Sequence, residues 1–126
     1  MKKSKTARQI RLGEIAFARS GDKGSGANVG VIAYTRTGYN YLRRALSVSR
    51  VGKFYKRLGV GQVVRYELPN LLAFNFVLPG VLAGGASRSL RIDAQGKALG
   101  QALLEMELKI SEYDLTRCKP RRKNQP

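Results

Sequence analysis

The segment FARSGDKGSGANVGVIAY (residues 17–34) joins two apolar stretches of strand length through a polar, glycine-rich connection. Several glycines close together indicate positive φ angles or a close approach of the backbone to another group. The same connection carries charges of both signs and hydrogen-bonding groups. It therefore predicts either a small ligand site or a tightly tied turn, and the sequence leaves both open. The candidate binding residues here are Arg19, Ser20, Gly21, Asp22, Lys23, Gly24 and Asn28.

Strands are predicted where apolar residues alternate or cluster with β-branched residues. Residues 10–18 and 29–34 flank the polar connection as the first two strands. Residues 62–68 and 71–78 follow one another across a short Pro-Asn connection, which favours an antiparallel hairpin. Asn75 is polar within an apolar strand, so its amide is either satisfied by hydrogen bonds or functional.

Two helices are predicted between these strand pairs. Apolar residues at helical spacing cover 39–46 and 51–58, with Thr37 and Ser49 as candidate N-caps. The region contains no acidic residue, so its cations form either the solvated face of helices packed on a sheet or a surface for anions or a partner. Its basic residues are Arg36, Arg43, Arg44, Arg50, Lys53, Lys56 and Arg57.

A second polar cluster precedes the last predicted helix. Arg88 and Arg91 stand beside small residues and are candidates to hold a carboxylate or phosphate, with Lys97 in the same cluster. The alternative is that Arg91 and Asp93 tether the loop locally. Asp93 is also a candidate N-cap for a helix that leads to an edge strand at 107–110.

The order of these elements predicts one α+β domain. We expect a mainly antiparallel sheet with helices on one face, in a ferredoxin-like arrangement with an extra N-terminal strand. The predicted domain covers residues 10–110, between a basic N-terminal tail at 1–9 and a basic C-terminal tail at 111–126.

Composition limits the chemistry open to this chain. It has 126 residues, a net charge of +16, no histidine and one cysteine. The usual Ser-His and Cys-His pairs and most zinc sites are therefore excluded, and we expect no metal and no cofactor. The basic tails either raise solubility or attract nucleic acid non-specifically. No segment reads as a signal peptide or reaches the roughly 20 apolar residues of a membrane span, so a cytoplasmic setting is expected.

Common phosphate-binding and hydrolase motifs are not matched by the glycine-rich connection. Gly26 is followed by Ala27 and Asn28, where a P-loop needs Lys and Ser or Thr. Residues 20–23 satisfy S-x-x-K, but neither S-D-N nor K-T-G accompanies them.

Three segments together resemble one known family. They are ARSGDKG at 18–24, RYELP at 65–69 and SLRIDAQGK at 89–97. Their combination resembles the small AtuA-like domain of acyclic terpene utilisation proteins, described as ferredoxin-fold, over about residues 12–108. The resemblance implies bacterial catabolism of terpenoid or branched acyl-CoA compounds alongside a larger AtuA-type protein. It assigns no catalytic residue.

Three functions are therefore carried forward. The first is an accessory subunit or domain partner of a larger AtuA-type protein, with the glycine-rich connection at an anionic ligand site or subunit interface. Self-association into a homo-oligomer is an additional expectation. The second is a nucleic-acid binder that uses the helices from Arg43 to Arg57 and both tails. The third is a small enzyme acting on an acyl substrate through Lys23 or Asp22.

Overall fold

The computed structural model describes residues 7–23, 26–80 and 98–120. These residues form a mixed α+β structure with antiparallel sheets, which confirms the predicted fold class. The strands are β1 (Ala7–Arg11), β2 (Ala16–Lys23), β3 (Gly26–Ala33), β4 (Val64–Leu68), β5 (Ala73–Leu78) and β6 (Glu107–Ser111). The α-helices are α1 (Arg36–Ala45), α2 (Val48–Phe54), α3 (Ala98–Leu103) and α4 (Glu112–Cys118).

The larger sheet has four strands in the order β2-β3-β5-β4, and every neighbouring pair is antiparallel. Strand β3 lies inside it and pairs with β2 on one side and β5 on the other. From Ala27 onward its residues alternate: Val29 and Val31 are fully buried, whereas Asn28 and Gly30 are only partly buried. The sheet therefore has one face in the core, called the inner face, and a second face that none of the described helices covers.

Helices α1 and α2 pack on the inner face. The ring of Tyr39 stacks on Phe74 of β5 at a centroid distance of 4.7 Å, and the Tyr55 hydroxyl donates to the Leu99 carbonyl at 2.7 Å. The N-caps are Thr35 and Ser47, each two residues earlier than predicted. The Thr35 hydroxyl accepts from the Gly38 nitrogen at 3.0 Å, so the predicted cap, Thr37, already lies inside helix α1.

The predicted first strand is broken in two. Residues Leu12–Glu14 form a 3-10 turn between β1 and β2, and β1 pairs with β6 in a separate two-stranded ribbon. Leu12 and Ile15 are both fully buried. A straight strand would send these two side chains to opposite faces, so the backbone turns between them to bury both.

Helix α4 was not predicted, and it lies in the segment assigned to the C-terminal tail. The Ser111 side chain accepts from the backbone nitrogen of Asp114 at 3.1 Å and caps the helix. Leu115 and Cys118 are buried in the core. The Thr35 hydroxyl donates to the Arg117 carbonyl at 2.8 Å, which joins α4 to the start of α1. The tail boundaries themselves stay a prediction.

Arg65 of β4 caps the C-terminus of helix α1, and its removal tests this connection. One guanidinium nitrogen donates to the carbonyls of Arg43 and Leu46 at 2.8 and 2.9 Å, and the other pairs with Glu67 at 2.8 Å.

Arg65→Met keeps the packing of the stem but leaves those helix-end carbonyls without a donor. We expect it to lower the free energy of unfolding in urea by about 2 kcal/mol. The control Glu67→Gln leaves the carbonyl contacts in place and should change stability by less than about 0.5 kcal/mol. Equal effects of the two substitutions would contradict the capping role.

Helix α3 approaches strand β2 at a glycine. The Gly100 nitrogen donates to the Ser20 hydroxyl at 3.0 Å, and a Cβ at Gly100 would lie 3.1 Å from that oxygen and 3.3 Å from the Ala18 Cβ. Alanine usually stabilises a helix relative to glycine by about 1 kcal/mol. Here we expect Gly100→Ala to destabilise by about 1–2 kcal/mol because the added methyl group forces helix and strand apart.

A second helical glycine supplies the matched control for this substitution. A Cβ at Gly52 would meet only the Val63 Cγ2 at 3.7 Å, an ordinary contact. Gly52→Ala should therefore stabilise the protein by up to about 1 kcal/mol. Urea denaturation of both variants measures the difference, and the same sign for both would refute the close approach.

Candidate interaction site on the outer face of the sheet

The face of the four-stranded sheet that no described helix covers, here called the outer face, brings together residues from all four strands. The pairing register aligns Arg19 with Gly30, Gly30 with Asn75, and Asn75 with Tyr66, so these four residues form one row across the sheet. Rows of the same kind lie on either side of it. The outer-face residues are Phe17, Arg19, Gly21, Asn28, Gly30, Ile32, Val64, Tyr66, Leu68, Ala73, Asn75 and Val77.

Large apolar side chains are exposed on the outer face. Tyr66 is 54% exposed, and Phe17, Val64 and Leu68 are each about two-fifths exposed. The ring of Phe17 stacks on that of Tyr34 at a centroid distance of 5.7 Å. Single exposed apolar residues need no explanation, but a cluster on one face marks an interaction surface.

Three predicted site residues meet in the middle of this face. Arg19, Asn28 and Asn75 surround Gly30, whose missing side chain leaves a depression between them. We call this group of four residues the polar notch. Because neighbouring strands lie about 4.8 Å apart, the Cα atoms of Arg19 and Asn75 are separated by about 10 Å across Gly30. The glycine-rich connection thus contributes to a sheet face, since strands β2 and β3 continue to Lys23 and from Gly26.

The amides of the polar notch lack partners. The Asn28 Oδ1 atom is buried and accepts no hydrogen bond, and the Asn75 side chain makes none with another described residue. Arg19 is exposed and forms no ion pair or hydrogen bond within the described ranges. Asn75 therefore lies at a partly exposed surface position, and internal hydrogen bonding does not account for it.

The structure separates Ser20 from the polar notch. Its hydroxyl faces helix α3, where it accepts from the Gly100 nitrogen. The backbones of Asp22 and Lys23 pair with Ala27 and Gly26 in the β2–β3 hairpin. The remaining predicted site residues, Gly24, Arg88, Arg91, Asp93 and Lys97, lie outside the described residues.

The exposed side chains of β4 were missed by the sequence analysis. An alternating strand normally turns its apolar residues inward, yet Val64 and Tyr66 are exposed while Arg65 is only 17% exposed and Glu67 pairs with it. The sequence did contain a signal for this arrangement. Charged and apolar residues alternate along β4, so a strand with one face toward the core must turn either its charged or its apolar residues toward the solvent. Arg65 can occupy the inner side because helix α1 offers it two carbonyls.

Five of the seven basic residues from Arg36 to Arg57 lie on helices α1 and α2, and the last two, Lys56 and Arg57, lie in the 3-10 turn Lys56–Leu58 that follows α2. All seven are exposed. None of them forms an ion pair with another residue in the described part of the chain. This arrangement fits both interpretations of the acid-free region.

Groups with catalytic potential are sparse among the described residues. Burial, reinforced by Asp114, raises the pKa of the Cys118 thiol to about 11, so the thiol stays neutral. Burial also raises the pKa of Tyr41. Within the described ranges no group of three or more His, Cys, Asp or Glu residues is placed to hold a metal. None of the described helices is long and apolar enough to cross a membrane.

Comparison with known proteins identifies the family. The family model of the AtuA ferredoxin-like domain matches residues 10–109 of the 126-residue chain. Comparison with curated proteins and with solved structures finds no match. The matched region includes strands β2 to β5 in full, the last two residues of β1 and the first three of β6, and it contains the whole outer face. The chain therefore belongs to the AtuA ferredoxin-like domain family.

Proposed function

We propose that this protein is an accessory partner of a larger AtuA-type protein and docks on it through the outer face. The observation that carries the proposal is the cluster of exposed apolar side chains on one side of the sheet. Such clusters on a soluble domain mark protein interfaces, and exposed tyrosine and phenylalanine are enriched in their centres. Family membership supports an AtuA-type protein as the partner, because this type of domain belongs to AtuA-type proteins.

The biological setting of the proposal is the bacterial catabolism of terpenoid or branched acyl-CoA compounds in the cytoplasm. The protein would act there as a binding component, with the larger protein supplying the substrate chemistry. Self-association through the same face is the competing arrangement. The large net charge of +16 opposes it, because two copies repel each other.

Binding to the larger protein tests the proposal directly. We expect complex formation at micromolar concentrations of an AtuA-type protein from the same genome, measured by calorimetry and co-purification. Tyr66→Ala should weaken binding at least tenfold, because Tyr66 is the most exposed of the large apolar side chains on the described strands. No association of the wild-type chain at these concentrations would overturn the proposal.

Two valines of equal exposure provide a matched control. Val64 on the outer face is 41% exposed, and Val48 on helix α2 is 39% exposed. Val64→Glu should weaken binding at least tenfold, because it places an unpaired charge in the apolar interface. Val48→Glu should change it less than twofold. Equal losses would show that net charge alone governs the association and would count against the outer face.

A further inference from the structure

Packing against the described residues does not require a glycine at two positions of the outer face. A Cβ at Gly21 would meet nothing within 4 Å, and one at Gly30 would meet only carbonyl oxygens at 3.8 and 4.0 Å. Neither has a positive φ, a property that the described glycines show only at Gly59 and Gly80. By contrast, a Cβ at Gly26 would lie 2.9 Å from the Leu78 carbonyl. Glycine weakens a strand interior, and where the fold does not need it, it often marks the approach of an external group.

The side chains around this open space are charged or polar and lack partners. Arg19 pairs across the sheet with Gly30, and the next outer-face residue along its own strand is Gly21. Because both neighbours lack a side chain, neither can form a hydrogen bond or ion pair with the Arg19 guanidinium. The buried Asn28 Oδ1 needs a donor, and leaving such an acceptor unpaired is costly. The buried Asn28 oxygen is out of reach of a docking partner, whereas the exposed guanidinium of Arg19 is suited to a partner that accepts hydrogen bonds from it.

Charge complementarity defines the occupant. None of the outer-face residues of the described strands is acidic, and the chain carries a net charge of +16. A planar carboxylate fits the space over Gly30, where an arginine can hold it through two parallel hydrogen bonds. The Asn75 amide on the other side of Gly30 can donate to the same group.

We propose that the polar notch binds an Asp or Glu side chain of the protein that covers the outer face. The inference rests on the proposed function and specifies it, because it states what the larger AtuA-type protein must present at the centre of the interface. Apolar contacts around the notch then supply affinity. The ion pair between the partner's carboxylate and Arg19 determines the position and orientation in which the two proteins dock.

Two substitutions test the notch with the larger AtuA-type protein as the probe. Gly30→Val fills the depression, and since its Cβ meets only ordinary contacts, the thermal unfolding midpoint should be unchanged or higher. Arg19→Gln removes the charge and keeps a polar stem. Each should weaken binding at least tenfold, and Arg19→Gln should also reduce the dependence of affinity on salt between 50 and about 300 mM. Arg36→Gln, at an exposed arginine on helix α1, should leave the affinity within twofold.

The outcomes separate this inference from the proposed function. If Tyr66→Ala loses binding while Gly30→Val and Arg19→Gln bind as the wild type does, the notch inference is overturned and the docking face stands. If the wild-type chain does not bind, both are overturned. If light scattering shows a homodimer that Gly30→Val abolishes, the carboxylate belongs to a second copy, and the occupant proposed here is wrong.

Discussion

The pairing of β3 on both sides is the constraint on which this structure depends. Side chains alternate with a period of two, so a slip of one residue would exchange Val29 and Val31 for Asn28 and Gly30 in the core. Burying Phe74 and Phe76 of β5 against the same face fixes the register from the second side. The alternation that buries the valines necessarily presents Asn28, Gly30 and their neighbours outward. The core and the candidate site are therefore specified by the same residues of one strand.

The charged residues are distributed unevenly between the outer face and the rest of the described structure. The ribbon of β1 and β6 and the adjoining helix ends hold acids that pair with nearby cations, for example Glu105 with Arg11 at 3.5 Å and Glu112 with Arg8 at 3.7 Å. These pairs are exposed and contribute little stability. The helices over the inner face carry unpaired cations, and the outer face carries few charges. The weakly charged, apolar outer face is therefore a surface on which close contact with another protein costs little desolvation.

Much of the fold was predictable, because local patterns and tertiary packing agree along most strands. The hairpin across Pro69, the helical spacing around Tyr39 and Leu42, and the edge strand at β6 all follow from periodicity. The errors arise where burial of particular side chains overrides the local pattern. The turn that buries both Leu12 and Ile15, and helix α4 with buried Leu115, each depend on contacts with distant residues that no local window contains.

Arg19, Asn28 and Asn75 could be named as candidates from the sequence, but the exposed side chains of β4 and the sheet face on which they all lie could not. Glycines and amides at 19–28 were interpreted as a loop, because glycine is the usual residue of turns. In the structure the same residues continue two strands, and their small size clears the surface of a sheet. The distinction depends on Asn75, which lies 47 residues beyond Asn28 in the sequence and reaches the notch only through the pairing of β3 with β5. A polar residue in an apolar strand was the local sign of this convergence. The register explains why a polar residue occurs at Asn75: the residue paired with it is Gly30, which has no side chain to cover the Asn75 amide.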